Sequence, residues 1–131
     1  MTARRIRRTL LAATATIVFA VCHAAIAAEP SQSQDEIHHL LQYVAGSSCT
    51  FIRNGSEYPP DKARDHLAGK YAFVGSRIST AEDFIKYLAT QSSMSGEPYH
   101  VRCGKTELLS GAWLTDELNR YRRAPHIQAS R

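Results

Sequence analysis

Arg53 is the first residue whose chemistry points to a ligand. It ends a short segment that alternates apolar and polar residues, so it falls on the same strand face as Cys49 and Phe51. A guanidinium at that position would hold a carboxylate or a phosphate through two parallel hydrogen bonds. In the structural alternative, Arg53 stacks on Tyr99 or pairs with an acidic residue of a helix. The structural alternative is favoured, because a buried charge needs a partner in any fold.

A serine-rich segment, residues 92–95, is the second candidate, and we call it the serine loop. Ser92, Ser93 and Ser95 carry three hydroxyls at the end of a predicted helix, where they would bind a sugar or another polar ligand. The alternative is a helix stop, in which the same hydroxyls satisfy the last carbonyls of the helix. The loop runs into Tyr99, the predicted neighbour of Arg53, so we expect the loop and Arg53 to lie close together.

His66 and Lys70 form the third candidate group. They are four residues apart in a segment predicted to be helical, so their side chains share one face. An enzymatic alternative is a small envelope-directed hydrolase with His66 as base, a serine of the serine loop as nucleophile and Asp83 as acid. No Gly-x-Ser-x-Gly motif supports it. The predicted ligand-binding residues are Arg53, Asn54, His66, Lys70, Ser92, Ser93, Ser95 and Tyr99, and no catalytic residue is assigned.

Neither a metal site nor a cofactor site is predicted. His38 and His39 are adjacent, so they point to different sides of a helix. The cysteines that follow the first 28 residues have no second cysteine or histidine at ligand spacing.

Residues 1–28 have the layout of a secretory signal peptide. Four arginines stand among residues 4–8, residues 10–26 are apolar and uncharged, and Ala25-Ile26-Ala27 is a small-x-small cleavage signal. The alternative is an uncleaved anchor, but the apolar run is short of the roughly 20 residues that span a bilayer. We therefore expect a periplasmic protein without stable membrane insertion after the leader is cleaved.

The excess of basic over acidic residues in the full chain lies in this leader. Lys and Arg number 16, and Asp and Glu number 12. Four of the basic residues lie in the leader, which leaves 12 basic against 12 acidic side chains and a formal net charge of zero. A neutral chain gives no electrostatic argument for nucleic acid as a partner. The expected partner is an unidentified envelope ligand or protein.

Four helices are predicted in residues 29–123, which form one small domain, followed by a polar tail, residues 124–131, that is expected to be flexible. Capping-box patterns place helix starts at Ser33 and Ser79. The second helix begins near Pro60 and stops at Gly75. The inward-facing residues of the four helices are Ile37, Leu40, Leu41 and Val44; Ala63, Leu67, Tyr71 and Val74; Ala81, Phe84, Ile85, Leu88 and Ala89; and Trp113, Leu114, Leu118 and Tyr121 of the helix that begins near Ser110.

Two short alternating segments, residues 48–53 and 99–103, predict a pair of antiparallel strands. One register of this pair places Phe51 opposite Val101 and also brings two cysteines together. The predicted fold class is α+β, with about four helices packed on a short antiparallel sheet of two or three strands.

Cys49 and Cys103 are these two cysteines, and they predict one disulfide. An even pair in a small exported domain is typical of an oxidised bridge. Two buried free thiols are the alternative.

The ordered motifs of this chain resemble those of a family of small exported proteobacterial proteins, the YfeK family. The likeness is carried by residues 51–55, by His66 and Lys70, by residues 80–85 and by residues 89–101. It covers nearly the whole chain after the leader and implies a Gram-negative periplasm. It supplies no activity, because the family is a domain of unknown function, and it carries over no catalytic residue.

The function expected from the sequence is that of a periplasmic binding or accessory protein without enzymatic activity. Its binding surface would be polar and formed by the Asn54–Gly55 turn and the serine loop. The hydrolase described above and a purely structural protein without a ligand are the alternatives.

Overall fold

The computed structural model of the protein describes residues 30–125, in which four helices pack against one antiparallel sheet. The α+β class predicted from the sequence is confirmed. The helices are α1 (Pro30–Gly46), α2 (Pro60–Val74), α3 (Ala81–Phe84, continued by a π-helical turn over Ile85–Ala89) and α4 (Ser110–Arg123). The strands are β1 (Thr50–Arg53), β2 (Ser56–Tyr58), β3 (His100–Cys103) and β4 (Thr106–Leu109).

The predicted leader, residues 1–28, lies outside the described residues, as does the predicted tail after its first two residues. Among the helices that are described, none has both the length and the apolar composition needed to cross a bilayer.

The sheet has four strands rather than the predicted two or three, in the order β2-β1-β3-β4. The additional strands are the outer arms of two hairpins. β2 returns from β1 through Asn54 and Gly55, whose φ angles of 48° and 75° suit a two-residue hairpin turn. β2 has only three residues, and β4, with the sequence Thr-Glu-Leu-Leu, is exposed throughout and does not alternate apolar and polar residues, so neither gives the strand pattern.

β1 and β3 pair in the predicted register, with Phe51 opposite Val101 and both side chains buried. The predicted disulfide between Cys49 and Cys103 is present at one end of this pair, with the two Cα atoms 4.4 Å apart. Side chains two apart on a strand share a face. Arg53 therefore leaves the same face as Phe51, at the end of β1 away from the disulfide.

The predicted start of α1 at Ser33 is wrong. The helix begins at Pro30, a residue whose fixed φ suits the first helical position. Ser33 lies inside the helix and is buried. Glu36, the expected partner in the capping box, is instead bound by the Arg122 guanidinium of α4 through two hydrogen bonds of 2.8 Å.

The start of α3 is displaced by one residue from the prediction at Ser79. Thr80 is the N-cap, and its hydroxyl accepts a hydrogen bond from the Asp83 backbone N–H at 3.1 Å. The predicted apolar stripe of this helix is buried, but its second half is a π-helical turn that the periodicity does not predict. The Thr90 hydroxyl donates to the Ile85 carbonyl of this turn at 2.8 Å.

The core lies between the helices and the inner face of the β1–β3 pair. All four helices contribute to it. The predicted stripes of α1, α3 and α4 supply most of the buried residues, whereas on α2 Leu67 is buried and Ala63, Tyr71 and Val74 pack partly buried against the core. Its fully or nearly fully buried side chains are Ile37, Leu40, Val44, Phe51, Leu67, Phe84, Ile85, Leu88, Val101, Leu114 and Leu118.

Candidate functional site

Arg53 reaches from the end of β1 to both α2 and β2. Its Nη1 lies 2.9 Å from each ring nitrogen of His66, and its Nη2 donates to the Tyr58 hydroxyl at 3.2 Å. The guanidinium carbon also lies 4.9 Å from the centre of the Tyr58 ring, within cation–π range. The sequence predicts a Tyr99 ring or a helix carboxylate against Arg53, but the ring that lies against the guanidinium is that of Tyr58, which β2 places beside β1. Among the described residues, Arg53 forms no ion pair with an acidic side chain.

His66 is the neutral acceptor for this guanidinium. A guanidinium only donates hydrogen bonds, so a ring nitrogen of His66 must present its lone pair to Arg53. We assign the tautomer in which Nδ1 accepts from Arg53 and the Nε2–H donates to the Tyr99 hydroxyl, 3.4 Å away. Burial lowers the pKa of His66 below its ordinary value of 6.5, and the charges of Arg53 and Lys70 lower it further. The ring is therefore uncharged at neutral pH.

The Tyr99 hydroxyl hydrogen-bonds with His66, Arg53 and Ser92. Tyr99 precedes β3 and is held by its backbone, since its N–H donates to the Thr90 carbonyl at 2.9 Å. Burial raises the pKa of the Tyr99 hydroxyl, while its hydrogen bonds with Arg53 and Ser92 act in the opposite direction. The phenol thus links the end of β1 to the serine loop.

Lys70 lies behind the Tyr99 ring, with its Nζ 5.3 Å from the ring centre. The ammonium donates to the Leu88 carbonyl in the π-helical turn at 2.8 Å. Burial lowers the pKa of Lys70, and the charge of Arg53 lowers it further. We call the set Arg53, Tyr58, His66, Lys70 and Tyr99 the Arg53 cluster.

The serine loop packs beside the β1–β2 turn. The Ser95 hydroxyl donates to Asn54 Oδ1 at 2.7 Å, and the Ser92 hydroxyl accepts a hydrogen bond from the Ser95 backbone N–H at 3.3 Å. Ser93 is exposed. The structure therefore brings Ser95 to Asn54 and Ser92 to the Arg53 cluster, whereas Ser93 joins neither contact.

A cavity of about 320 Å³ opens beside the Arg53 cluster. Its apolar wall comes from the central strand β1 and from α2, and its polar residues come from five elements or their ends. None of the lining residues, all of which lie in the described range, is acidic. They are Phe51, Ile52, Arg53, Tyr58, Lys62, Ala63, His66, Leu67, Tyr99, His100 and Ser110.

Four polar lining residues were not predicted as part of the site, and two of them had a usable signal. Because Asn54–Gly55 is a two-residue hairpin turn, the residue opposite Phe51 in the returning strand is Tyr58. Lys62 lies four residues before His66 on α2, and therefore on the same helix face. His100 and Ser110 reach the cavity only through the tertiary arrangement of β3 and α4, which no local pattern reveals.

The structure does not assemble the hydrolase triad considered from the sequence. The Asp83 carboxylate accepts a hydrogen bond from the Ser79 backbone N–H at the start of α3. In the described part of the chain, His66 has Arg53 and Tyr99 as its hydrogen-bond partners and no carboxylate. Serine hydrolases use an acidic side chain to orient the histidine that acts as base. Among the described residues, His66 has no such partner.

The described residues contain no group of three or more His, Cys, Asp or Glu side chains arranged to hold a metal ion. The polar groups that line the cavity are hydrogen-bond donors, phenols and imidazoles. The guanidinium among them can form charge-assisted hydrogen bonds with a carboxylate or a phosphate.

Comparison with known proteins gives a relative without an assigned activity. The chain is similar to "Uncharacterized protein YfeK" of Salmonella typhimurium strain LT2, with 44% identity over 50 residues. The match covers 38% of this chain and 42% of YfeK, so less than half of that protein's length is matched. No solved structure matches the chain.

A family model matches nearly all of the described region. It covers residues 31–122 and bears the description "Family of unknown function (DUF5329)". The matched segment contains every residue of the Arg53 cluster, the serine loop and both bridged cysteines. This chain therefore belongs to the family of unknown function DUF5329.

Proposed function

We propose that this protein is a periplasmic, non-enzymatic binding protein that takes a small anionic ligand into the cavity beside the Arg53 cluster. The observation that carries the proposal is the pairing of a permanently charged guanidinium with neutral partners only. His66 and Tyr58 support Arg53 without cancelling its charge, and no acidic residue lines the cavity.

The electrostatics of the cluster support an anionic ligand. Burial lowers the pKa of both His66 and Lys70, and the charge of Arg53 lowers it further, as expected where positive potential is left uncompensated. The hydrogen bond from Arg53 also lowers the pKa of the Tyr58 hydroxyl. An anion in the cavity would relieve this potential, and a carboxylate or a phosphate would accept from the guanidinium.

The partners of the candidate base support a non-enzymatic role. His66 is held by Arg53 and Tyr99, whereas the Ser95 hydroxyl donates to Asn54 and the Ser92 hydroxyl bonds within the loop and with Tyr99. The periplasmic location rests on the predicted leader and on the family resemblance. The disulfide agrees with an oxidising compartment.

The proposal is tested by replacing Arg53 with methionine, which keeps much of the side chain's length and removes its charge. The matched control is Arg102→Met, since Arg102 lies on β3 and pairs with Glu57, away from the cavity lining. Amide NMR shifts are followed while sodium acetate and, separately, inorganic phosphate are added at constant ionic strength.

Saturable shifts around the cavity are expected for the wild type and for Arg102→Met. Arg53→Met should bind at least about tenfold more weakly, because a charge-assisted hydrogen bond contributes roughly 1.5–3 kcal/mol. The same titration curve for wild type and Arg53→Met, or no saturation with either anion, would overturn the proposal.

A further inference from the structure

The cavity wall is divided into an apolar part and a basic part. On β1, Phe51 and Arg53 share a face and are about 7 Å apart along the strand. On α2, Ala63 and Leu67 lie on either side of His66 in the sequence, and all three line the cavity. Both elements thus place apolar surface next to a basic group, and the two basic groups are in contact.

The size of the cavity exceeds what a bare inorganic anion needs. Its volume is about 320 Å³, whereas one water molecule takes roughly 30 Å³ in the liquid. A carboxylate or phosphate on Arg53 would leave most of this space beside Phe51, Ala63 and Leu67. Apolar walls give water few hydrogen-bond partners, so an apolar ligand group there would be favoured over water.

The charge of the cavity suits a ligand with a single negative charge. The Arg53 cluster contains two cationic residues, Arg53 and Lys70. Arg53 lines the cavity and Lys70 does not. His66 is neutral in the arrangement described above. Lys62 also lines the cavity, but its side chain is exposed to solvent, which screens its charge. His100 is paired with Glu107 at 3.1 Å.

We infer that the ligand is a small amphiphilic monoanion, namely a carboxylate carried on an alkyl or aromatic body. The carboxylate contacts Arg53 and the tyrosine hydroxyls, and the apolar body lies against Phe51, Ala63 and Leu67. This inference rests on the proposed function, since the same guanidinium holds the head group. It goes further by assigning the apolar wall a part in recognition.

The test is a series of straight-chain carboxylates from acetate to decanoate, each used below its micelle-forming concentration. Affinity is measured by NMR titration for the short members and by calorimetry for the long ones. It should rise by up to about fourfold for each added methylene until the cavity is filled, and then level off. The alcohol of the same length should bind at least about tenfold more weakly, because it lacks the charge that Arg53 recognises.

A pair of α2 variants locates the apolar body. Ala63→Leu fills the cavity at its apolar wall, whereas Ala72→Leu adds the same atoms at an exposed position of the same helix. The first variant should bind octanoate at least about tenfold more weakly and acetate nearly as well as the wild type. The second should bind both ligands like the wild type.

The outcomes separate this inference from the proposed function. If acetate binds in an Arg53-dependent manner but affinity does not change along the series, the amphiphile is wrong and the anion site stands. Tighter binding of inorganic phosphate than of octanoate would have the same meaning. If neither a carboxylate nor inorganic phosphate binds in an Arg53-dependent manner, both proposals fall.

Discussion

Arg53 is satisfied by neutral acceptors, and this explains the protonation behaviour of its neighbours. The guanidinium donates to a phenol and to an imidazole, so its hydrogen bonds are made while its charge remains. A carboxylate in the place of the Tyr58 phenol or the His66 imidazole would have neutralised the charge of the guanidinium. The positive potential that remains disfavours a second charge on His66 and on Lys70, in addition to the effect of burial.

His66 should make the stability of the protein depend on pH. Its folded-state pKa lies below the ordinary value of 6.5, so the unfolded chain binds the proton more readily as the pH falls through that value. The free energy of unfolding should therefore decrease as pH falls below about 6.5 and recover as pH rises. His66→Gln keeps an acceptor for Arg53 but does not titrate, so the free energy of unfolding should depend less on pH.

Urea unfolding of wild type and His66→Gln between about pH 5 and pH 8 measures this difference. His38→Gln, at an exposed position of α1, is the control and should follow the wild type. Parallel pH profiles for wild type and His66→Gln would contradict the prediction.

The residue types of the site were predictable, but their partners were not. Arg53, His66 and Tyr99 stand out because charged and polar groups are unusual on faces that otherwise bury apolar side chains. Tyr58 was missed because the Asn54–Gly55 turn was recognised without following the chain into the returning strand. Had that strand been continued in register, Tyr58 would have faced Phe51 beside Arg53.

At the scale of elements, α1 and α4 are joined by an ion pair whose carboxylate is buried and whose guanidinium reaches solvent. Glu36 is 2% exposed and receives two hydrogen bonds of 2.8 Å from the Arg122 guanidinium. The same guanidinium also binds Glu82 of α3. Three helices thus meet at one side chain near the end of α4.

Arg122→Met should destabilise the protein by about 1–3 kcal/mol, because it removes both guanidinium hydrogen bonds from a buried carboxylate and leaves it the long hydrogen bond from Gln32, at 3.4 Å. The double variant Glu36→Leu with Arg122→Met should recover much of that loss, since it removes the buried charge as well. Urea unfolding of both variants and of Arg123→Met, an exposed residue of α4, measures the effect. A double variant less stable than Arg122→Met alone would contradict this account.

This ion pair also explains why the start of α1 was predicted wrongly. Ser33 and Glu36 have the spacing of a capping box, but Glu36 is bound by a residue 86 positions away in the chain. A local pattern predicts a helix end correctly only when no tertiary partner competes for the side chain. The second capping-box pattern meets the same competition, because its Glu82 is also bound by Arg122, and the cap forms one residue later, between Thr80 and Asp83.

At the scale of the whole molecule, the fold class was predictable because one strand register satisfied two independent requirements. Pairing Phe51 with Val101 buried an apolar face and also brought the cysteines together. The cavity was not predictable in the same way. Its walls come from β1, β2, α2, α4 and the region of β3, so its existence depends on how helices sit on the sheet rather than on any local pattern.

The disulfide closes a loop that contains the whole predicted site. Cys49 and Cys103 are separated by 54 positions, and every residue of the Arg53 cluster and of the serine loop lies between them. The bridge joins β1 to β3, which are already paired through their backbones. It should therefore act mainly by restricting the unfolded chain, with little effect on the geometry of the cavity.

Replacing both cysteines with alanine should lower the free energy of unfolding by about 4 kcal/mol, the chain-entropy value for a loop of this length. The urea m-value should rise, because an uncrosslinked unfolded chain exposes more surface. Binding of octanoate, measured where the variant is still fully folded, should stay within about threefold of the wild type, since the β1–β3 pairing holds Arg53 in place. If affinity is lost while the circular dichroism spectrum is retained, the bridge shapes the site directly. If stability does not change, β1–β3 pairing already limits the unfolded chain as much as the covalent bond does.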